Sequence, residues 1–196
     1  MITQHNKKKI IREELLEHNE LISALSRNLV QEIEIAVELA SNCLRHSGTI
    51  FWCGNGGSAS DAQHLSTELV CRYVKDREAL SSIALNTDTS LMTAIPNDYN
   101  FSKIFSRQIE ALGKSGDLLI PISTSGNSEN ILEVIKSAQK LKMNCFGFLG
   151  NDGGEAAKIL EEKIIIPSVK TARIQEAHIT IGHIIINLVE IEMNLI

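Results

Sequence analysis

No apolar stretch in this sequence is long enough to span a bilayer, and the N-terminus, Met1 to Lys9, has no apolar core of the signal-peptide kind. The chain is therefore expected in the cytoplasm, with no membrane partner. No basic stripe accompanies the formal net charge of −5, which argues against nucleic acid as a direct partner. Lys7-Lys8-Lys9 reads as a solvated helix start. None of the four cysteines (Cys43, Cys53, Cys71, Cys145) belongs to a C-x-x-C pair, so neither a disulfide framework nor a thiolate zinc site is indicated. Cys53 and Cys145 sit in apolar runs and read as small buried hydrophobes. Internal repeats, low-complexity tracts and flexible linkers are missing as well, so 196 residues make most simply one domain, 1–196.

What is present begins with two helices between about Gln4 and Ser47, joined near Asn28 and expected to lie antiparallel. The first puts Ile11, Leu15, Ile22 and Leu25 on one stripe; the second uses Leu29, Ile33, Ala36, Ala40 and Leu44 before Gly48 stops it. Ile10, Leu16, Leu21 and Ile35 lie off those stripes, which is more apolar surface than one sheet face needs and points to a subunit interface. After this pair, 1–48, the chain from 49 to 196 alternates short apolar runs with amphipathic segments. Such alternation predicts a parallel sheet with crossover helices. Strands are expected near Thr49 to Cys53, Ser82 to Leu85, Leu118 to Ile122, Asn144 to Leu149 and Lys163 to Ile166. Helices are expected near Ser58 to Tyr73, Ser90 to Ile95, Phe101 to Leu112, Ser128 to Leu141 and Gly154 to Leu160, with Pro96 as the break between the second and third. A last helix, about Ala172 to Asn194, is apolar almost all round and should be buried on most sides.

Chemistry is expected from Thr49 to Glu68, where an apolar run meets Gly54-Asn55-Gly56-Gly57-Ser58 and then a Ser-capped helix. A helix start of this kind aims backbone N–H groups and a favourable dipole at an anion. Asp61, His64 and Glu68 share one face of that helix. Gly54, Gly56 and Ala59 also fit a loose dinucleotide fingerprint, but the acidic residue it needs is poorly placed, since Asp76 and Glu78 lie in a charged loop and the next apolar run ends nearer Asp88. Ligands of open parallel sheets bind beyond the carboxyl ends of strands, and here those ends carry the most polar loops. Ser123-Thr124-Ser125-Gly126-Asn127-Ser128 offers hydroxyls and N–H groups without positive charge, which suits a phosphate monoester. Ser128 is also a ready helix cap, which explains neither Ser123 nor Ser125.

These residues, together with Asp61-Ala62-Gln63-His64, Glu68, Asn97-Asp98, Asp152-Gly153-Gly154, and Arg173-Ile174-Gln175-Glu176 with His178 and His183, resemble the sugar isomerase (SIS) domain family, and within it the bacterial phosphoheptose isomerases. The resemblance covers nearly the whole chain. It implies a three-layer αβα fold of flavodoxin-like type with a five-stranded parallel sheet, and a homotetramer with active sites between subunits. The implied reaction converts sedoheptulose 7-phosphate to D-glycero-D-manno-heptose 7-phosphate for lipopolysaccharide or surface glycans. Matched position by position, substrate would be held by Asn55, Gly56, Gly57, Glu68, Asn97, Asp98, Ser123, Thr124, Ser125, Ser128 and Gln175. One zinc per subunit would be bound by His64, Glu68, Gln175 and His183. Ser58-Ala59-Ser60 and Ser168-Val169-Lys170-Thr171 depart from the family pattern, and the second could alter how the entry to the last helix meets substrate.

Isomerisation moves a proton between neighbouring carbons through an enediol, and a carboxylate in a partly closed site suits that work. Glu68 is the expected base and His183 its partner for the oxygen protons. Against this, Glu68 could pair with Arg72 at i,i+4, and His183 lies in an apolar run where a histidine is often a core residue. Gln175 and His183 are eight apart, roughly 80° around and about 12 Å along a helix, so they are not stacked neighbours. The family also implies a non-catalytic alternative, a module binding a sugar phosphate or the bacterial replication initiator. The resemblance implies that the relative associating with that initiator lacks the acid-base pair, whereas Glu68 and His183 are both present here.

Overall fold

The computed structural model describes residues 3–196. Five strands form one parallel sheet in the order β2-β1-β3-β4-β5: β1 Ile50–Gly54, β2 Ser82–Ala84, β3 Leu118–Ser123, β4 Asn144–Gly150 and β5 Glu162–Ile166. Among the described residues eight α-helices accompany them: α1 Gln4–Asn28, α2 Val30–Arg45, α3 Gly57–Val70, α4 Thr89–Asp98, α5 Ser106–Leu112, α6 Glu129–Lys140, α7 Gly154–Ile159 and α8 Thr171–Glu192. This is the expected three-layer αβα fold with its N-terminal helical pair, and the strand order is the flavodoxin-like one.

The period of two along each strand divides the core. Ile50, Trp52, Leu118, Ile120, Phe146, Phe148, Ile164 and Ile166 pack under α2, α3 and α8, while Phe51, Cys53, Leu119 and Leu149 pack under α4 to α7. Trp52 sends its indole N–H to Ser82 Oγ at 2.9 Å, and that hydroxyl donates on to Ser66 Oγ at 3.1 Å. Cys53 is fully buried as expected, and burial raises its thiol pKa; Cys145 is only partly buried.

Local expectations are corrected in several places. α1 and α2 meet at Leu29 alone, shorter than the loop of about two to five residues that an antiparallel helical hairpin uses, so the two do not form that hairpin. Pro96 does not end its helix: it falls in the last turn of α4, where the lost backbone bond is absorbed, and the chain turns away only at Tyr99. The segment from Phe101 is a single 3-10 turn, Phe101–Lys103, followed by α5, rather than one helix to Leu112. The apolar residues of α1 divide by position along the helix rather than by stripe. Leu21, Ile22 and Leu25 pack on the core, whereas Ile11 and Leu15 of the expected stripe stay exposed in the single chain together with Ile10 and Leu16.

Two contacts set α8 against α3. At Gly182 there is no room for a Cβ, because the Leu65 methyls occupy its place, and this lets the two backbones close up. Eight residues later along α8, the fully buried Glu190 accepts a 2.6 Å bond from Arg77, whose side chain is 2 % exposed. Removing one partner of such a pair costs about 3–5 kcal/mol, because the other is left charged and buried.

His178 is the core histidine of α8. Its Nε2–H donates to Leu149 O at 2.9 Å, its Nδ1 has no partner, and its pKa is lowered from 6.5 to about 4, by burial against the opposing effect of that hydrogen bond. Above about pH 6.5 both folded and unfolded chains are neutral there. As pH falls toward about 4, the unfolded chain takes up a proton that the folded chain refuses, so stability drops through that window by about 3 kcal/mol and then levels off. His178→Gln keeps a donor for Leu149 and cannot ionise. Urea unfolding across this pH range should show a shallower acid decline in the variant than in the wild type; parallel declines would remove His178 as the cause.

Candidate active site

The sheet order reverses at β1, with β2 on one side and β3 on the other. α3 leaves β1 over one face while α6 leaves β3 over the other, so the two loops part and leave a crevice beyond the carboxyl ends. The glycine loop forms one wall. Asn86 fixes its first residue from both sides, donating from Nδ2 to Gly54 O at 2.8 Å and accepting from Gly54 N–H at 3.3 Å. Gly56, at φ +57°, is the N-cap of α3 and brings no side chain. The expected serine cap is therefore absent: Ser58 lies inside the helix and is buried, which leaves the helix start open toward the crevice. Gly57 leaves room for the amide of Gln175, which sits where a Cβ would stand.

The serine loop forms the other wall. Ser123, buried at the end of β3, accepts from Gly126 N–H at 3.0 Å, which leaves its own hydroxyl hydrogen free for a ligand. Ser128 stands at the N-cap of α6, yet its hydroxyl makes no capping bond. The expectation that it caps is thus corrected. Behind this loop, Gly126 packs against the backbone of Gly153, Ala156 N–H donates to Gly126 O at 2.9 Å, and Glu155 N–H donates to Asn127 Oδ1 at 3.0 Å. The Asp152-Gly153-Gly154 turn therefore braces the serine loop.

Between the walls lies a cavity of about 260 Å³. Of the expected substrate residues, Asn55, Gly56, Gly57, Ser123, Thr124, Ser128 and Gln175 line it, with Ser58, Ile122 and Thr171. A wider hollow of about 620 Å³ adjoins it at Asn55 and Ser128. Ser125 lines neither: it is exposed, and its hydroxyl accepts from Asn127 N–H at 3.2 Å. Asn97 and Asp98, bonded to each other at 2.8 Å, are exposed at the end of α4 and also line neither.

Further along the groove between α3 and α8, His64, Glu68 and His183 converge, with one ligand atom from each lying within 4.8 Å of the others. His64 Nε2 is 3.0 Å from His183 Nε2 and 3.4 Å from Glu68 Oε1. Those separations match the edges of a tetrahedron, roughly 3.3 Å for Zn–N bonds near 2.0–2.1 Å. Glu68 thus faces His64, and no described ion pair joins it to Arg72. The His183 ring is partly buried, edge-on to His64 and stacked on Tyr73, with ring centroids 5.0 and 5.6 Å away. Its pKa is lowered, first by burial and then by the His64 charge, with Glu68 opposing. Asp61, a turn earlier, is pushed up to about 6 by burial, with the His64 charge pulling it down, and its Oδ2 has no partner. Gln175 does not join this group in the structure; its amide is two turns of α3 away, at Gly57.

Sequence reasoning passed over Asn130, Asn86 and Tyr73. Asn130 is buried in the first turn of α6 and exchanges two 2.9 Å amide bonds with Asn55, which fixes how Asn55 faces the cavity. An asparagine right after a helix start reads only as a first-turn residue, so nothing local signalled this pairing over 75 positions.

The SIS domain family pattern matches residues 15–150. Phosphoheptose isomerase 1 of Campylobacter jejuni is 48% identical over 181 residues, which covers 92% of this chain and 97% of that protein. The solved phosphoheptose isomerase GmhA of Neisseria gonorrhoeae superposes with a TM-score of 0.89 at 39% identity, covering 93% of this chain and 98% of that one. A phosphoheptose isomerase structure from Francisella tularensis gives a TM-score of 0.91 at 32% identity, covering 96% of this chain and 98% of that one. With the glycine and serine loops facing each other across the switch point and the His64, Glu68 and His183 cluster beside them, the chain belongs to the phosphoheptose isomerase family of SIS-domain proteins.

Proposed function

We propose that this protein isomerises sedoheptulose 7-phosphate to D-glycero-D-manno-heptose 7-phosphate in the cytoplasm, for heptose synthesis in lipopolysaccharide or surface glycans. The observation that carries the reading is one of spacing along α3 and α8. From Gly57 to His64 and from Gln175 to His183 the two helices run roughly 10–12 Å, comparable with an open seven-carbon chain bearing its phosphate at the far end. The phosphate belongs in the cavity, where Ser123, Thr124, Ser128 and the N–H groups at the start of α3 supply neutral donors. Asn55, Gly56, Gly57 and Gln175 hold the near hydroxyls. The reacting carbons reach Glu68 and His183.

Glu68 takes a proton from C1 of the ketose and returns it to C2. His183 gives a proton to O2 as the enediol forms and takes one from O1 as the aldehyde appears, so atoms and charge balance. An imidazole whose pKa is lowered is neutral at neutral pH and can do both. His64, Glu68 and His183 fit zinc by their donor types and separations. When bound, zinc supplies a Lewis acid that polarises the carbonyl. Gln175 reaches that ion only by leaving Gly57, so it is proposed as an exchangeable fourth ligand. Zinc and proton transfer compete for the same lone pairs of Glu68 and His183, which favours a loosely held ion, one per subunit.

The chain is proposed to act as one domain, 1–196, within a homotetramer. Ile10, Ile11, Leu15 and Leu16 leave an apolar strip uncovered on α1, and strips of that kind mark interfaces. Asn97, Asp98 and Ser125, which miss the cavities of their own chain, are proposed to meet substrate only once copies assemble. Light scattering at micromolar concentration should return four chains per particle; a monomer would sink this.

Glu68→Gln preserves shape and removes the base, so turnover of sedoheptulose 7-phosphate, followed by NMR of the aldose, should fall by ~10²-fold or more with the fold intact. Near wild-type turnover would end the assignment. Ser123→Ala and Ser128→Ala should raise KM more than they lower kcat, because the phosphate is a remote handle, and unphosphorylated sedoheptulose should be a very poor substrate. Comparable reaction of the unphosphorylated sugar would overturn the phosphate site.

A further inference from the structure

The connection from Cys71 to Ser81, between α3 and β2, is anchored by buried charge. α3 ends with carbonyls that have no partner within the helix and no basic residue in its last turn. Arg77 supplies the missing donors from beyond the helix end: Nη2 to Glu68 O at 2.9 Å, and Nη1 to Leu69 O at 2.8 Å and to Glu78 O at 2.9 Å. Its Nε bonds Glu190 of α8 at 2.6 Å. One guanidinium therefore joins the backbone of Glu68 to the helix that carries His183. Glu190 also accepts from the N–H groups of Tyr73 and Val74, each at 3.3 Å. Those bonds hold the backbone of Tyr73, whose ring lies nearly parallel to the His183 imidazole, 18° between planes and 5.6 Å between centroids.

A buried ion pair adds little net stability against apolar groups of the same size, so stability alone does not account for this one. What it does fix is geometry. Leu65 against Gly182 registers α3 on α8 on one side of the His64, Glu68 and His183 cluster, and Arg77 with Glu190 registers them on the other. The imidazole between them still has a free χ2 torsion. Tyr73 on one face and His64 at its edge confine that torsion.

We propose that Tyr73, Arg77 and Glu190 are positioning residues for the isomerisation: Arg77 and Glu190 set the Glu68 turn of α3 against α8, and Tyr73, suspended from the same carboxylate, holds the plane of the His183 ring. None of the three touches the substrate. The inference rests on Glu68 and His183 being the proton-transferring pair. Its consequence is a loss in the bound complex rather than in binding.

The test combines steady-state kinetics on sedoheptulose 7-phosphate with histidine ring NMR and thermal unfolding of the full chain. Tyr73→Phe keeps the ring and should stay within about twofold of wild-type kcat. Tyr73→Leu should lower kcat by ~10-fold to ~10²-fold with KM changed by less than about twofold, since small misplacements of reacting groups cost that much. It should also move the His183 ring resonance, assigned with His183→Gln, while the His178 resonance stays. Arg77→Lys retains the charge but brings three donors to four acceptors, so its folded protein should lose kcat in the same way. Wild-type kcat in Tyr73→Leu with an unmoved His183 resonance, while Glu68→Gln and His183→Gln are inactive, overturns the inference alone. Full turnover in either of those last two removes the acid-base pair, and the inference falls with it.

Discussion

The site depends on how closely α3 and α8 approach. Each helix leaves the same end of the sheet and runs down the same face, and neither carries a complete constellation alone. His64 and Glu68 belong to α3, His183 and Gln175 to α8, and only a short interaxial distance lets imidazole meet imidazole at 3.0 Å. Gly182 provides it. A side chain there would collide with Leu65, and the helices would move apart at the residue next to His183. The same parallel pairing aligns both helix starts at the crevice, which is why Gln175 rests on Gly57 two turns above the cluster.

The anion site proposed here is built from backbone and hydroxyl rather than from lysine or arginine. Asn55, Gly56, Gly57, Ser123, Thr124 and Ser128 line the cavity without one basic side chain among them. Neutral donors on fixed loops ask little reorganisation of a phosphate and need no counter-ion when it leaves. They do need the loops to be rigid, and the buried asparagines serve that need. Asn86 binds both backbone groups of Gly54, Asn130 orients Asn55, and the Gly153 turn braces Gly126 from behind.

Much of this could be read from residue order because it is local. The strand runs, the glycine and serine loops and the i,i+4 pair of His64 and Glu68 are each set by neighbours a few positions apart. The two histidines of α8 show where such reading ends. His178 and His183 both lie among Ile and Ala, about 140° apart around the helix, and periodicity does not say which side meets the sheet. Packing decides: His178 faces Leu149 and Phe148 as a neutral core group, while His183 faces α3. Tyr73, Arg77 and Glu190 were illegible for the same reason. A charged stretch such as Lys75-Asp76-Arg77-Glu78 reads as solvated loop, and only a partner 113 positions away turns Arg77 inward.

The two roles proposed for Glu68 and His183 would also account for why the supporting structure is so heavily bonded. A group that both holds a metal and moves protons must do each imperfectly, since a lone pair given to zinc is withdrawn from the base. An enzyme can ease that conflict by keeping the ion weakly held and letting geometry do the orienting that tight coordination would otherwise do. A ring clamped by Tyr73 and a helix end capped by Arg77 hold their places whether or not an ion is present. On the mechanism proposed, orientation then costs nothing at the moment of reaction, and Glu68 and His183 stay free to exchange protons with the sugar.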